Sequence, residues 1–147
     1  MTSKENDSFE KVVSEIQASI QEEEEAIYSK KVIEEYRNPQ NAGRLIEPDG
    51  FAIITGPCGD TMELYLNVKN GSISEINFMT DGCGASIACG SMATRLANGK
   101  TLDEATKITN QDILNALDGL PEENIHCAKL AADTLQKAIL NCFEEIE

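Results

Sequence analysis

The sequence has no tryptophan and a single histidine, and it is poor in positive charge: 12 Lys and Arg stand against 26 Asp and Glu, a formal net charge of −14 at pH 7. Phosphate backbones and anionic lipid surfaces repel such a chain, which argues against nucleic acid and membrane as partners. Met1 to Glu10 lacks both the basic flank and the apolar run of a secretion signal, and no later stretch is long enough to span a bilayer, so a cytoplasmic protein is expected. No Cys-x-x-Cys pair occurs among the cysteines at positions 58, 83, 89, 127 and 142, and their number is odd. A disulfide framework and a zinc ribbon are therefore both disfavoured, leaving reduced thiols or thiolates on a metal. Internal repeats and low-complexity linkers are missing too, apart from the run Glu22 to Glu25.

What is present suits one small α+β domain, since 147 residues make room for one compact core. Phe9, Val12, Val13, Ile16 and Ile20 recur at helical intervals behind Asp7 and Glu10, which have capping-box spacing, and predict an amphipathic first helix. The Glu22 to Glu25 run repels itself and is expected to form a solvated hinge. A second helix is expected from Ile27 to about Tyr36, stopped by Pro39. Met62, Leu64, Leu66 and Val68 alternate with Thr61, Glu63, Tyr65, Asn67 and Lys69, Asn70-Gly71 signals a tight turn, and Ile76 and Phe78 resume the alternation. With Phe51 to Thr55 this predicts a three-stranded antiparallel sheet, one face of it covered by helices at about Cys83 to Asn98, Leu102 to Ile108, Gln111 to Leu117 and Cys127 to Glu145. The expected organisation is an acidic helical extension over residues 1–26 and a domain over 27–147.

The cysteines divide by context. Cys58 lies in Gly56-Pro57-Cys58-Gly59-Asp60, a loop between strands, and Cys83 in Asp81-Gly82-Cys83-Gly84, just before a helix. Glycine flanks are poor core choices but let backbone come close to an ion. Cys127 follows His126 at another helix start, and the unpaired N–H groups of both helix starts favour a thiolate. Cys89 and Cys142 fall instead on the apolar stripes of their helices and read as small core residues. Cys58, Cys83 and Cys127 with either Asp60 or His126 would form a mixed site with three sulfurs, a donor set for zinc or an iron–sulfur unit rather than magnesium or calcium.

Several motifs in order then resemble one known family: Asn38-Pro39-Gln40-Asn41-Ala42-Gly43, the Cys58 loop, Asp81-Gly82-Cys83-Gly84-Ala85-Ser86-Ile87-Ala88, Gly99-Lys100-Thr101, and His126-Cys127-Ala128 with Leu130-Ala131-Ala132-Asp133. From about Tyr28 to Phe143 the chain resembles the NifU/IscU-type iron-sulfur cluster assembly scaffold. The resemblance implies a non-enzymatic scaffold on which a [2Fe-2S] cluster is built from iron and from sulfur supplied by a cysteine desulfurase, then passed to acceptor apoproteins. It places the cluster or metal on Cys58, Asp60, Cys83, His126 and Cys127, makes Cys127 the persulfide acceptor, and gives Asp60 the task of keeping the cluster labile. Zinc is a candidate occupant of the cluster-free form, and a homodimer a candidate assembly. The family's dedicated chaperone recognises Leu-Pro-Pro-Val-Lys, where this chain reads Leu120-Pro121-Glu122-Glu123-Asn124. A related branch, the SufU-like zinc sulfurtransferases, is the alternative; that branch has a longer interval between the second and third cysteines and lacks the histidine, which here is His126.

Overall fold

A computed structural model describes residues 3–146, with side chains described for 7–144. Strands β1 (Gly50–Thr55), β2 (Thr61–Lys69) and β3 (Ser72–Thr80) form an antiparallel sheet in the order β1-β2-β3. The register pairs Ala52 with Leu64 and Leu64 with Phe78, so alternate apolar residues of all three strands share one face. Asn70 and Gly71 both take positive φ and close the β2–β3 hairpin, and a bulge at Asn67/Val68 shifts the pairing beside it. Helix α3 (Gly84–Ala97) covers β3, while α6 (Ile125–Ile146) runs over β1 and β2. The short helices α4 (Leu102–Ala105) and α5 (Asn110–Ala116) each begin with a complete capping box, Thr101 with Glu104 and Thr109 with Asp112.

Two groups of buried side chains fill the interface. Met62, Phe78, Cys89, Ile113 and Leu117 lie at the end that carries Cys127, and Leu64, Leu66, Ile73, Ile76, Leu135 and Ile139 at the other. Cys89 and Cys142 are fully buried, as their helix phase predicts. The opposite sheet face is less polar than the alternation suggests. Tyr65 stacks on Phe51 with ring centroids 6.2 Å apart and donates a hydrogen bond to Glu63, which also takes a bidentate ion pair from Arg44.

Helix α2 (Lys30–Arg37) starts at Ser29, whose hydroxyl accepts the Val32 N–H. Its inner face carries Val32, Ile33 and the buried Glu35, which accepts hydrogen bonds from Ser91 and from Arg95 of α3. The following loop folds back: Gln40 N–H donates to Ser91, the Asn41 amide to Thr94, and Ala42 bridges to Phe78. Together these bonds fasten α2 beside the start of α3.

The N-terminal segment departs from expectation in three ways. Helix α1 is continuous from Ser3 to Ile27, so Asp7 lies inside it rather than at its cap, and no hinge interrupts Glu22 to Glu25. Glutamate is a good helix former, and Glu24 is paired with Arg37, so the run is not left as bare repulsion. Ile27 belongs to α1 and is exposed, so the inner face of α2 is built without it. Phe9, Val12, Ile16 and Ile20 share the predicted stripe but are half or more exposed. No described helix is long and apolar enough to cross a membrane.

Candidate functional site

Three segments distant in sequence meet at one end of the sheet. The first is the β1–β2 turn, where Gly56 N–H donates to the Asp60 carbonyl at 2.8 Å and Gly59 N–H to the Gly56 carbonyl at 3.0 Å. Gly59 has φ +91, a conformation that side chains rarely adopt, and this lets the turn close tightly enough to lift Cys58 into solvent. The second is the end of β3. Gly82 N–H donates to the Thr80 hydroxyl at 3.1 Å, and Cys83 is the exposed N-cap of α3, with no side chain capping the free N–H groups behind it. The third is the first turn of α6, which carries His126 and Cys127.

All five residues singled out in the sequence come together. Donor atoms of Cys58, Asp60 and His126 lie within 4.8 Å of one another, as do those of Asp60, Cys83 and Cys127, so Asp60 joins two overlapping triads. One imidazole nitrogen, Nε2 of His126, faces both Cys58 Sγ at 3.0 Å and Cys127 Sγ at 3.7 Å. Three sulfurs, one imidazole and one carboxylate, in two groups that share Asp60, form a donor set for iron or zinc.

Cys127 differs from the expectation for a helix start. Its residue surface is 1% exposed, and burial pushes its thiol up to about 11, opposed only in part by a hydrogen bond from Ser86. Removal from water thus outweighs that hydrogen bond. Burial likewise holds Cys89 well above the ordinary cysteine value. Exposure therefore predicts an order of reactivity: in metal-free protein near pH 8, a thiol reagent modifies Cys58 and Cys83 first, with Cys127, Cys89 and Cys142 at least about tenfold slower. Peptide mass mapping over time checks it, and early modification of Cys127 would place that thiol outside the floor of the site.

Sequence reasoning passed over Ser86. It is fully buried in the first turn of α3, and its hydroxyl reaches Asp60 Oδ2 at 3.0 Å and Cys127 Sγ at 3.4 Å. The signal was its position, three residues past Cys83 on the helix that cysteine caps.

Comparison with known proteins agrees with this geometry. The NifU-like N-terminal domain family matches residues 27–146. The chain belongs to that family. It is 46% identical over 120 residues to the iron-sulfur cluster assembly scaffold protein IscU 1 of Archaeoglobus fulgidus, covering 81% of this chain and 78% of that protein. To the iron-sulfur cluster assembly scaffold protein IscU of Escherichia coli K12 it is 44% identical over 117 residues, covering 76% and 91% respectively. Among solved structures, a NifU-like N-terminal protein from Brucella abortus superposes with TM-score 0.61 at 25% identity, over 80% of this chain and 95% of that one. Helix α1 up to Ala26 precedes the part that matches the NifU-like family.

Proposed function

We propose that this protein is an iron–sulfur cluster assembly scaffold, with residues 27–147 forming the scaffold domain and 1–26 an extension. The observation that carries the reading is the meeting of Cys58, Cys83 and Cys127 with Asp60 and His126 in two donor groups that share Asp60, in a chain whose relatives are named as cluster scaffolds. The cargo is a [2Fe-2S] cluster held by the three thiolates, with Asp60 or His126 as the fourth donor. Sulfur comes from a cysteine desulfurase: the Cys127 thiolate attacks the outer sulfur of the enzyme's persulfide, a new S–S bond forms, and the enzyme's thiolate leaves. Because Cys127 is buried with His126 against its sulfur, and His126 in turn touches Cys58, this step needs the Gly56–Asp60 turn to move aside. Acceptor apoproteins are the other partners, and the cytoplasm is the proposed compartment. Zinc suits the same donors in the cluster-free form.

A scaffold has to release what it builds. Two exposed cysteines and a hard carboxylate make a site from which a cluster can leave, since carboxylate is a weaker partner than thiolate for iron–sulfide. The test mixes anaerobically loaded protein with a [2Fe-2S] apo-acceptor and follows the acceptor's spectrum. Transfer that outpaces chelation of released iron supports the reading, and an acceptor that gains no cluster contradicts it. In the same assay Asp60→Ala is expected to slow both transfer and decay in air by about tenfold, because the charge that draws water to the cluster is gone. Equal or faster decay would remove the labilising role of Asp60.

A further inference from the structure

Ser86 has one hydroxyl proton and two acceptors for it. Asp60 Oδ2 is 3.0 Å away and Cys127 Sγ 3.4 Å, and the residue is fully buried. A hydroxyl donates to one partner at a time, and an ionised carboxylate is the stronger claimant. Among the described residues no other side chain donates to Asp60. The pair also has a seat made for it: a Cβ on Gly82 would lie 2.5 Å from Ser86 Oγ and 2.9 Å from Asp60 Oδ2, so only bare backbone fits beside them. That backbone leads directly into Cys83.

We propose that Ser86 is a positioning residue of this site, holding the Asp60 carboxylate between the sulfurs of Cys83 and Cys127 and competing with bound iron for its lone pairs. The inference rests on the proposed scaffold function and adds to it a residue that governs release. While the Ser86 proton stays on Asp60 Oδ2, iron can engage that carboxylate only in part. A charged carboxylate only half engaged by iron is a weaker hold than a free carboxylate, and it brings more water than no carboxylate at all. Because Ser86 is sealed from solvent, this competition is part of the fold and does not depend on a water molecule.

The test compares cluster release in wild type, Ser86→Ala, Asp60→Ala and the double variant, each checked for an unchanged melting curve in its metal-free form. Ser86→Ala is expected to slow release about three- to tenfold, the scale of one ordinary intramolecular hydrogen bond. In the Asp60→Ala background the same substitution is expected to change release by less than about twofold, within the scatter of additivity. An equal effect in both backgrounds, or none in either, overturns the proposal. Cobalt(II) alone is the second probe, with its release to a chelator followed through the cobalt–thiolate absorption. Ser86→Ala is expected to slow cobalt release by a similar factor only when Asp60 is present. If wild type builds no cluster, the scaffold function fails, while the cobalt measurement still decides the role of Ser86.

Discussion

Replacing Cys58, Cys83 or Cys127 with serine is expected to abolish stable cluster retention, whereas Cys89→Ser and Cys142→Ser retain it. The first three sulfurs face a shared space with Asp60 and His126, while Cys89 and Cys142 lie in the apolar interior with no exposed surface. Substitution of groups that merely support a metal ligand typically costs ten- to a hundredfold in affinity, so loss of a thiolate itself should cost at least about a hundredfold. Cys89→Ser and Cys142→Ser should register in stability instead, by about 1–3 kcal/mol, because each buries a hydroxyl among apolar groups. Iron and sulfide content after gel filtration, set beside a denaturant titration, separates the two classes. Cluster loss in folded Cys89→Ser would overturn the division.

Gly50→Ala should be the most destabilising small substitution in the sheet, at about 3 kcal/mol, the upper part of the usual range for overpacking. A Cβ at position 50 would lie 2.3 Å from Cys142 Sγ and 2.5 Å from the Ala138 carbonyl oxygen. The sulfur could turn away, but the carbonyl belongs to α6, so β1 and α6 would have to separate. A neighbouring hydrogen bond depends on the same approach, Phe51 N–H to Asn141 Oδ1 at 3.1 Å. The consequence reaches the site, because β1 leads into the Cys58 turn and α6 begins with His126 and Cys127. A fall in melting temperature of about 10 °C is expected. Adding Cys142→Ala should restore only part of it, since the carbonyl clash remains; full restoration would show that the sulfur alone was responsible.

The sheet was legible in the sequence because Met62 to Val68 alternate with period two and Asn70-Gly71 admits few other conformations. Cys89 and Cys142 were legible for a similar reason: helical phase places each on an apolar stripe, and both are buried. What the pattern could not show was long-range. Tyr65 sits on the nominally polar face, yet it is covered by Phe51 of the neighbouring strand. The run Glu22 to Glu25 stays helical, with Glu24 paired to Arg37 of the next helix. Cys127 stands at a helix start, where exposure is the ordinary expectation, but Ser86 at the start of α3 and the imidazole of His126 lie against its sulfur. No local spacing brings positions 58, 83 and 127 together; the family motifs suggested their meeting, and the path of β1, β3 and α6 produces it. Ser86 escaped notice because a serine in the first turn of a helix ordinarily faces water or a free N–H.

Assembly of a cluster on these three thiolates, with Asp60 or His126, is open to direct test by anaerobic reconstitution. Metal-free protein is incubated with ferrous iron, cysteine, a cysteine desulfurase and a thiol reductant, then separated from small molecules. Visible sulfur-to-iron charge-transfer bands and about two iron and two sulfide per site are expected, lost in Cys58→Ser, Cys83→Ser and Cys127→Ser. A colourless protein that keeps zinc while taking up sulfur would contradict cluster assembly in favour of a zinc-dependent sulfur relay, and a protein that takes up neither iron nor sulfur would contradict both.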